Sequence, residues 1–218
     1  MTRDPITHPD DDDRIGAVLD GMKDHLGHRP PVIGHRDPFR VLIGTVISQR
    51  TRDEQTEVAT EALFRRFSTA EDMAEADLDD IESAIRTSGF YREKARRIRE
   101  ISRMIRDDFE GTTPNRMEEL LSLPGVGRKT ANCVLVYAFE TDAIPVDIHV
   151  HRISNRLGWV RTESPEETEQ SLMEIVPKER WLELNNLMVK FGKSVCLPRK
   201  PHCNQCPISR LCAKRISE

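Results

Sequence analysis

Hydrophobic residues along this 218-residue chain recur at the spacing of α-helices. In residues 54–67, 92–109 and 178–191 they fall every three or four positions, which places them on one helical face. Residues 115–122 form a shorter segment of the same kind, and glycines and prolines separate the segments. The pattern predicts an all-α fold.

One segment fits either a strand or a helix. Residues 143–150, AIPVDIHV, alternate apolar and other positions as a strand does. Val150, Ile153 and Leu157 also share one face of a helix, and Asp147 is a residue type that caps helix starts well. We therefore predict a helix that begins after Asp147.

The composition, with 37% hydrophobic and 32% charged residues, is typical of a globular protein. The first residues, MTRDPITHPDDDD, are polar and acidic and lack the apolar region of a secretory signal. No stretch reaches the roughly 18 apolar residues of a membrane span. We expect an intracellular monomer without membrane contact, cytoplasmic if it is prokaryotic.

Charge is distributed unevenly along the chain. The formal net charge is −4, but residues 189–217 contain seven Lys or Arg and no Asp or Glu. Because a local field recruits a polyanion whatever the net charge, this basic segment is a candidate surface for nucleic acid. A solvated basic tail is the alternative.

Four of the five cysteines lie close together in the sequence. Cys133 lies in an apolar helical segment, where core packing is expected. The others have the spacing C-x6-C-x2-C-x5-C, and disulfides are not expected inside a cell. They are candidate ligands of one metal centre: Cys196, Cys203, Cys206 and Cys212.

Two kinds of metal centre fit this spacing. Zinc sites usually pair two C-x2-C motifs, and only one is present here, which suits the larger [4Fe–4S] cluster. His202 can replace one cysteine in a zinc site, so the spacing alone leaves both centres open. The enclosed loop carries Arg199 and Lys200, which are candidate phosphate contacts.

Residues 123–135, LPGVGRKTANCVL, predict a hairpin between two helices. Gly125 and Gly127, on either side of Val126, let a phosphate approach the backbone closely. The N–H groups at the start of the second helix, near Arg128, point outward and attract an anion. Such a hairpin contacts the nucleic-acid backbone rather than the bases.

Lys129 and Asp147 form a candidate catalytic pair. Lys129 lies in the first turn of the helix after the hairpin, where the helix dipole and Arg128 both favour its neutral, nucleophilic form. Asp147 can stabilise positive charge on a sugar or accept the proton of the lysine. A solvated lysine and a simple N-cap are the structural alternatives.

The hairpin LPGVGRKTANCVL, the segment PVDIHVHR and the four-cysteine spacing together resemble endonuclease III, a family of helix–hairpin–helix DNA glycosylases. The resemblance extends over roughly residues 36–213. It implies a six-helix barrel at 36–141 and a second domain, made of 1–35 and 142–218, that carries a [4Fe–4S] cluster. Double-stranded DNA would bind in a groove between the two domains, and a prokaryotic protein of this kind would be associated with the nucleoid.

The same resemblance implies a bifunctional enzyme. Lys129 would attack the sugar C1′ with Asp147 as the catalytic carboxylate, so that an oxidised pyrimidine is removed and the abasic site is nicked by β-elimination. The substrates would be duplexes containing damaged pyrimidines or abasic sites. Adenine- and thymine-mismatch glycosylases usually lack this lysine, and oxoguanine glycosylases usually lack the cluster.

The segment SGFYREKA resembles the intercalation loop of the family. Phe90 stands where a leucine is common, and Tyr91 follows it. An exposed aromatic pair at a glycine turn suits a wedge between bases, although a packing pair at a helix start has the same sequence.

The segment ISQRTRD resembles the second wedge of the family. Arg50 falls where endonuclease III usually has glutamine, and Gln49 lies one residue earlier. The resemblance therefore leaves open which of the two contacts the unpaired base. His149, within PVDIHVHR, is a further expected DNA contact.

Two other functions are compatible with these motifs. One is a mismatch glycosylase that acts on uracil or thymine. The other is a non-catalytic DNA-binding module with an iron–sulfur centre, which has no need for both Lys129 and Asp147.

Overall fold

The computed structural model describes residues 10–27, 37–141 and 143–216, with side chains from residue 13 onward in the first range. All regular secondary structure in these ranges is helical, as predicted. The chain forms two compact units: Pro31–Thr141, and Met1–Pro30 together with Asp142–Glu218. The acidic start of the chain and the boundary expected at residue 36 lie largely outside the described residues.

The continuous unit is built around one buried helix, α2. Its N-cap Asp37 accepts hydrogen bonds from the backbone N–H groups of Phe39 at 2.9 Å and Arg40 at 3.3 Å, and Pro38 occupies the first turn. Residues 41–47 of this helix, Pro38–Ser48, are all buried, and the helix packs against α3 (Asp53–Arg66), α6 (Tyr91–Asp108) and α8 (Arg128–Phe139). The helices of this unit are α2 (Pro38–Ser48), α3 (Asp53–Arg66), α4 (Ala70–Glu75), α5 (Leu78–Ala84), α6 (Tyr91–Asp108), α7 (Met117–Ser122) and α8 (Arg128–Phe139).

The discontinuous unit is organised by α11, which packs against α1 and α9. Trp159 and Phe191 are the largest fully buried side chains of its core. Short 3₁₀ turns occur at Lys178–Arg180 and Cys203–Gln205. The described helices of this unit are α1 (Asp10–Leu26), α9 (Ile148–Leu157), α10 (Pro165–Ile175) and α11 (Trp181–Ser194).

The helices predicted from periodicity are confirmed to within a few residues. Residues 54–67 and 92–109 correspond to α3 and α6, and residues 178–191 begin with a 3₁₀ turn before α11. The segment with strand-like alternation has no regular secondary structure from residue 143 to Asp147, and α9 begins directly after Asp147, as predicted. None of the helices described is long and apolar enough to cross a membrane.

Candidate functional site

The turn between α7 and α8 is a tight hairpin whose shape requires glycine. Gly125 has φ of 72°, a backbone conformation that side chains disfavour. A Cβ atom at this position would lie 2.8 Å from Cδ of Arg97. Val126 is buried, and its N–H donates to the carbonyl of Leu123 at 3.1 Å. The hairpin therefore exposes glycine backbone while an apolar side chain anchors it from within.

The helix after the hairpin begins without a side-chain cap, because Gly127 is its N-cap residue. The first N–H groups of a helix have no intrahelical acceptor, and the helix dipole makes this end positive. Arg128 is exposed and Lys129 is half-buried, both in the predicted first turn. Backbone donors and two cations at one helix start suit a phosphate.

Gln49 lies against the hairpin. Its side-chain amide donates to the carbonyl of Gly125 at 3.1 Å and to the hydroxyl of Thr130 at 3.4 Å. Because Gln49 follows the last residue of α2, this amide connects the buried helix to the hairpin and to α8. Its role as a DNA contact stays a prediction.

Arg50 and Phe90 occupy the tips of two adjacent turns. Both have left-handed backbone conformations, with φ of 53° and 57°, which is uncommon for residues other than glycine. Phe90 is 60% exposed, and the guanidinium carbon of Arg50 lies 5.5 Å from the centre of its ring, a cation–π contact. Tyr91 is half-buried and packs against the core. Of the two aromatic residues, Phe90 has the exposure of a wedge, and the role of Tyr91 as a DNA contact stays a prediction.

Asn132 is a buried polar residue that the sequence analysis did not identify. It is 1% exposed, and neither its side-chain nitrogen nor its oxygen has a hydrogen-bond partner within the described ranges. It follows Lys129 by three positions, so both side chains project from the same side of α8. An unpaired buried amide costs about 1–3 kcal/mol, a cost that a bound molecule or a water can offset.

Asp147 is the N-cap of α9, as predicted. Its Oδ1 atom accepts hydrogen bonds from the N–H groups of His149 at 2.8 Å and Val150 at 3.0 Å. The side chain is half-buried. Because both capping bonds use Oδ1, the second carboxylate oxygen takes no part in the cap and can serve the predicted chemistry.

His149 presents one defined hydrogen-bond donor. A guanidinium group of Arg152 lies 3.1 Å from its Nδ1 atom, and because a guanidinium only donates, Nδ1 must be the acceptor. Burial lowers the pKa of His149, with Asp147 opposing the shift and Arg152 and Lys193 adding to it. The imidazole is therefore neutral at pH 7, with its proton on Nε2.

The four predicted cysteine ligands line one cavity. Burial raises the pKa of the Cys206 thiol, the backbone N–H of Ile208 opposes the shift, and repulsion from Cys212, Cys196 and Cys203 adds to it. Four thiolates around one cavity would repel one another without a cationic centre, so the donor set fits a thiolate-bound cluster. Within the described ranges, no group of three or more His, Cys, Asp or Glu is spaced to hold a single metal ion.

Two arginines of α9 hold the cysteine loop, and the sequence analysis did not identify them. Arg156 is buried and donates to the carbonyls of Leu197 at 2.7 Å and Pro198 at 2.8 Å, and to Sγ of Cys196 at 3.4 Å. Arg152 donates to the carbonyl of Cys196 at 2.9 Å. The helix that begins at Asp147 therefore also supports the loop that carries the cysteines.

The loop held by Arg156 continues into the predicted phosphate contacts. Arg199 and Lys200 are both exposed, and Lys200 has a left-handed backbone conformation with φ of 52°. The residue before Arg199 is held by Arg156, which donates a hydrogen bond to the carbonyl of Pro198. A fixed backbone lowers the entropy cost of placing these cations against a phosphate.

The candidate residues are divided between the two units. The unit Pro31–Thr141 brings Gln49 to the hairpin and Arg50 to Phe90, and it carries Lys129. The other unit carries Asp147 and His149 on the helix that supports the cysteine loop.

Comparison with known proteins identifies the family of this chain. Residues 43–178 match the HhH-GPD superfamily of base excision DNA repair proteins. Endonuclease III of Thermotoga maritima is 52% identical over 176 residues, which cover 81% of this chain and 83% of that protein. The chain belongs to the endonuclease III family. Endonuclease III of Bacillus subtilis is 38% identical over 200 residues, which cover 91% of each protein.

Solved structures of endonuclease III share this fold. The structure of a trapped covalent intermediate between endonuclease III and DNA, an estranged-adenine complex, has a TM-score of 0.82 and 40% identity, and the match covers 92% of this chain and 95% of that one. A non-covalent endonuclease III–DNA complex gives the same TM-score and identity. A thermostable thymine-DNA glycosylase is 24% identical and shows the same fold only. The chain is a base excision repair enzyme of the DNA glycosylase and abasic-site lyase class.

The double role of Asp147 can be separated by two substitutions. Asp147→Asn keeps a capping oxygen, so the free energy of unfolding should change by no more than a few tenths of a kcal/mol, whereas Asp147→Ala should lose about 1 kcal/mol. Denaturant unfolding measures both changes. Base removal should be slowed strongly in both variants, and a wild-type rate in Asp147→Asn would leave this residue only its structural role.

The contribution of the cysteine loop to DNA binding can be measured from its salt dependence. Replacing Arg199 and Lys200 together by alanine should reduce the slope of log K against log salt by about two units, since each phosphate contact contributes about 0.9. The control replaces Arg65 and Arg66 together by alanine. These residues lie in the last turn of α3, whereas the segment carrying Arg50 precedes its first turn, about 20 Å away along the helix. Equal slopes for the two double variants would exclude the loop from the interface.

Proposed function

We propose that this enzyme removes oxidised pyrimidines from double-stranded DNA and cleaves the strand at the resulting abasic site by β-elimination. The observation that carries the proposal is the position of Lys129, in the first turn of an uncapped helix directly after a glycine hairpin. A phosphate bound at this helix start brings the sugar of the same nucleotide chain to the amine. One amine can then serve both steps of the reaction.

In the first step, Lys129 acts as the nucleophile. Its neutral amine attacks C1′ of the damaged nucleotide, the bond from C1′ to the base breaks, and the base leaves with the bonding electrons and takes up a proton. The Asp147 carboxylate stabilises the positive charge that develops on the sugar and accepts the proton that the new C–N bond releases. The oxygen Oδ2, which the cap does not use, is the group that we assign to this role.

In the second step, the strand is cleaved. Opening of the sugar ring converts the covalent adduct into a Schiff base between Lys129 and C1′. Loss of a proton from C2′ then supplies the electrons that expel the 3′ phosphate oxygen, so the C3′–O bond breaks. Water hydrolyses the Schiff base and releases Lys129 with its amine restored.

The flipped-out nucleotide leaves a gap in the helix that other side chains have to fill. The exposure of Phe90 and its contact with Arg50 support their assignment as the wedge. Gln49 holds the hairpin through the carbonyl of Gly125, and we keep Tyr91, which follows Phe90, as an assigned DNA contact. We assign His149, through its Nε2 proton, to a contact with the DNA backbone.

The cysteine loop fits a [4Fe–4S] cluster held by the four clustered thiols. The cluster would supply four iron–thiolate bonds that close the loop, and it takes no part in the chemistry proposed for Lys129. Arg156 and Arg152 support the loop from α9, so the protein itself fixes the backbone beside Arg199. The ligands that we assign are Cys196, Cys203, Cys206 and Cys212.

Borohydride trapping tests the proposed function. The wild-type protein should form a covalent adduct with a duplex containing one oxidised pyrimidine and with a duplex containing one abasic site, because both lead to the same Schiff base. Lys129→Ala should form neither adduct while still binding both duplexes. The control is Lys23→Ala, which removes a lysine of α1 that pairs with Glu183 and should trap normally.

The same experiment separates the alternative functions. Trapping on the abasic duplex alone would favour a different damaged base, and a duplex containing a uracil or thymine mismatch then tests the mismatch glycosylase. Tight binding without any adduct would contradict the catalytic proposal and favour the DNA-binding module.

Metal analysis tests the proposed cluster. Cys206→Ala should lose the iron and the brown absorbance of a [4Fe–4S] cluster, because one of four thiolate ligands is removed. Cys133→Ala, which changes the buried cysteine of α8, should keep both. Purified wild-type protein that contains one zinc ion and no iron would contradict the assignment.

A further inference from the structure

A single buried lysine connects the two turns that carry the wedge residues. Lys94, in the first turn of α6, is 3% exposed. Its ammonium group donates to the carbonyl of Ile47 at 2.6 Å and to the hydroxyl of Thr51 at 2.7 Å. These two acceptors lie 47 and 43 residues before Lys94 in the sequence. They stand on either side of Arg50.

The hydroxyl of Thr51 extends this connection to the second turn. It accepts the N–H of Gly89 at 3.1 Å in addition to the bond from Lys94, and it donates to the carbonyl of Gln49 at 3.3 Å. Gly89 immediately precedes Phe90. One hydroxyl therefore uses its donor and both acceptor positions to join the two turns.

The backbones of the two turns touch directly. A Cβ atom on Gly89 would lie 2.7 Å from the carbonyl oxygen of Arg50, so only glycine permits this approach. The approach places the Arg50 guanidinium against the exposed ring of Phe90, 5.5 Å from its centre. The stacked pair is therefore formed in the protein without DNA.

Packing alone does not account for Lys94. Burial lowers its pKa to about 8, and the like charge of Arg97 adds to the shift, so the ammonium form is held at a cost to stability. An apolar side chain of similar length would fill the same space without this cost. What the lysine provides, and an apolar side chain would not, is protons that reach the two acceptors beside Arg50.

We propose that Lys94 is a positioning residue, which acts through Ile47 and Thr51 to hold Arg50 and Phe90 as one preformed pair that enters the DNA helix as a unit. This inference rests on the proposed function, since it requires extrusion of a nucleotide from a duplex. A preformed pair pays less entropy on insertion than two independent side chains. The ring of Phe90 replaces the stacking of the lost base, and Arg50 offers hydrogen-bond donors to the unpaired base.

The test compares two substrates that differ in the need for a wedge. Removal of an oxidised pyrimidine from a duplex requires the helix to be opened, whereas cleavage of a single-stranded oligonucleotide at an abasic site does not. Lys94→Met and Thr51→Val should each slow single-turnover base removal from the duplex by about tenfold or more and change single-strand cleavage by less than about twofold. Thr51→Val is isosteric, so it tests the connection even if Lys94→Met folds poorly.

A matched control uses a threonine whose hydroxyl bonds only within its own helix. Thr45 is buried in α2 and donates to the carbonyl of Val41 at 2.7 Å. Thr45→Val removes one threonine hydroxyl, as Thr51→Val does, and should leave both rates near those of the wild type.

A double-mutant cycle tests whether the pair acts as a unit. If Arg50→Ala and Phe90→Ala each slow base removal about tenfold, the double variant should be slowed about tenfold rather than a hundredfold. In the Thr51→Val background, Arg50→Ala and Phe90→Ala should act independently, so their fold-reductions in the rate of base removal should multiply. Multiplicative losses in the otherwise wild-type protein would overturn the proposal.

The remaining outcomes also decide the question. If Thr51→Val slows duplex base removal and single-strand cleavage equally, Thr51 has only a general structural role. If both rates stay at the wild-type value, the connection through Thr51 has no role. Either result overturns the positioning role of Lys94. Wild-type protein that cleaves neither substrate would instead refute the proposed function itself, and this inference with it.

Discussion

The backbone N–H groups at the start of a helix need acceptors, and the two helices with the proposed catalytic residues meet this need differently. The helix α9 has its own acceptor, because Asp147 binds the N–H groups of His149 and Val150. The N-cap residue of α8 is Gly127, which has no side chain that could accept a hydrogen bond. An acceptor from outside, such as a phosphate, therefore suits α8, and the amine of Lys129 lies in the same turn. In this account, the missing cap explains why a nucleophile is placed at this position.

The unit Pro31–Thr141 organises its candidate DNA contacts around the end of one helix. The last residues of the buried α2 provide the carbonyl of Ile47 to Lys94, and the amide of Gln49 follows to hold the hairpin. Because the core surrounds α2, neither contact can shift without repacking that core. The turns that carry Arg50 and Phe90 are therefore tied to the end of a helix that the core encloses.

The sequence predicts those parts of the site that depend on local chemistry. The glycine hairpin, the position of Lys129 and the capping role of Asp147 each follow from a few adjacent residues, and so does the helical period of α3 and α6. The different burial of Phe90 and Tyr91 could not be predicted, because the core residues that pack against Tyr91 are distant in sequence.

The buried polar residues could not be predicted from the sequence either, because their hydrogen-bond partners are also distant in sequence. Lys94 lies between charged neighbours in YREKARR and has the sequence context of a surface lysine; only its acceptors, 43 and 47 residues away, reveal its burial. Arg156 supports carbonyls that lie 41 and 42 residues further on. For the arginines the sequence did contain an indication of a shared role, because Arg152 and Arg156 are four positions apart and therefore lie on one face of α9.

The central claim, that one amine carries out both steps, is tested most directly by locating the covalent bond. The borohydride-reduced adduct of the wild-type protein with an oxidised-pyrimidine duplex would be digested and its cross-linked peptide sequenced by mass spectrometry. The account predicts a reduced sugar on Lys129 and on no other amine. An adduct on the N-terminal amine or on another lysine would contradict it.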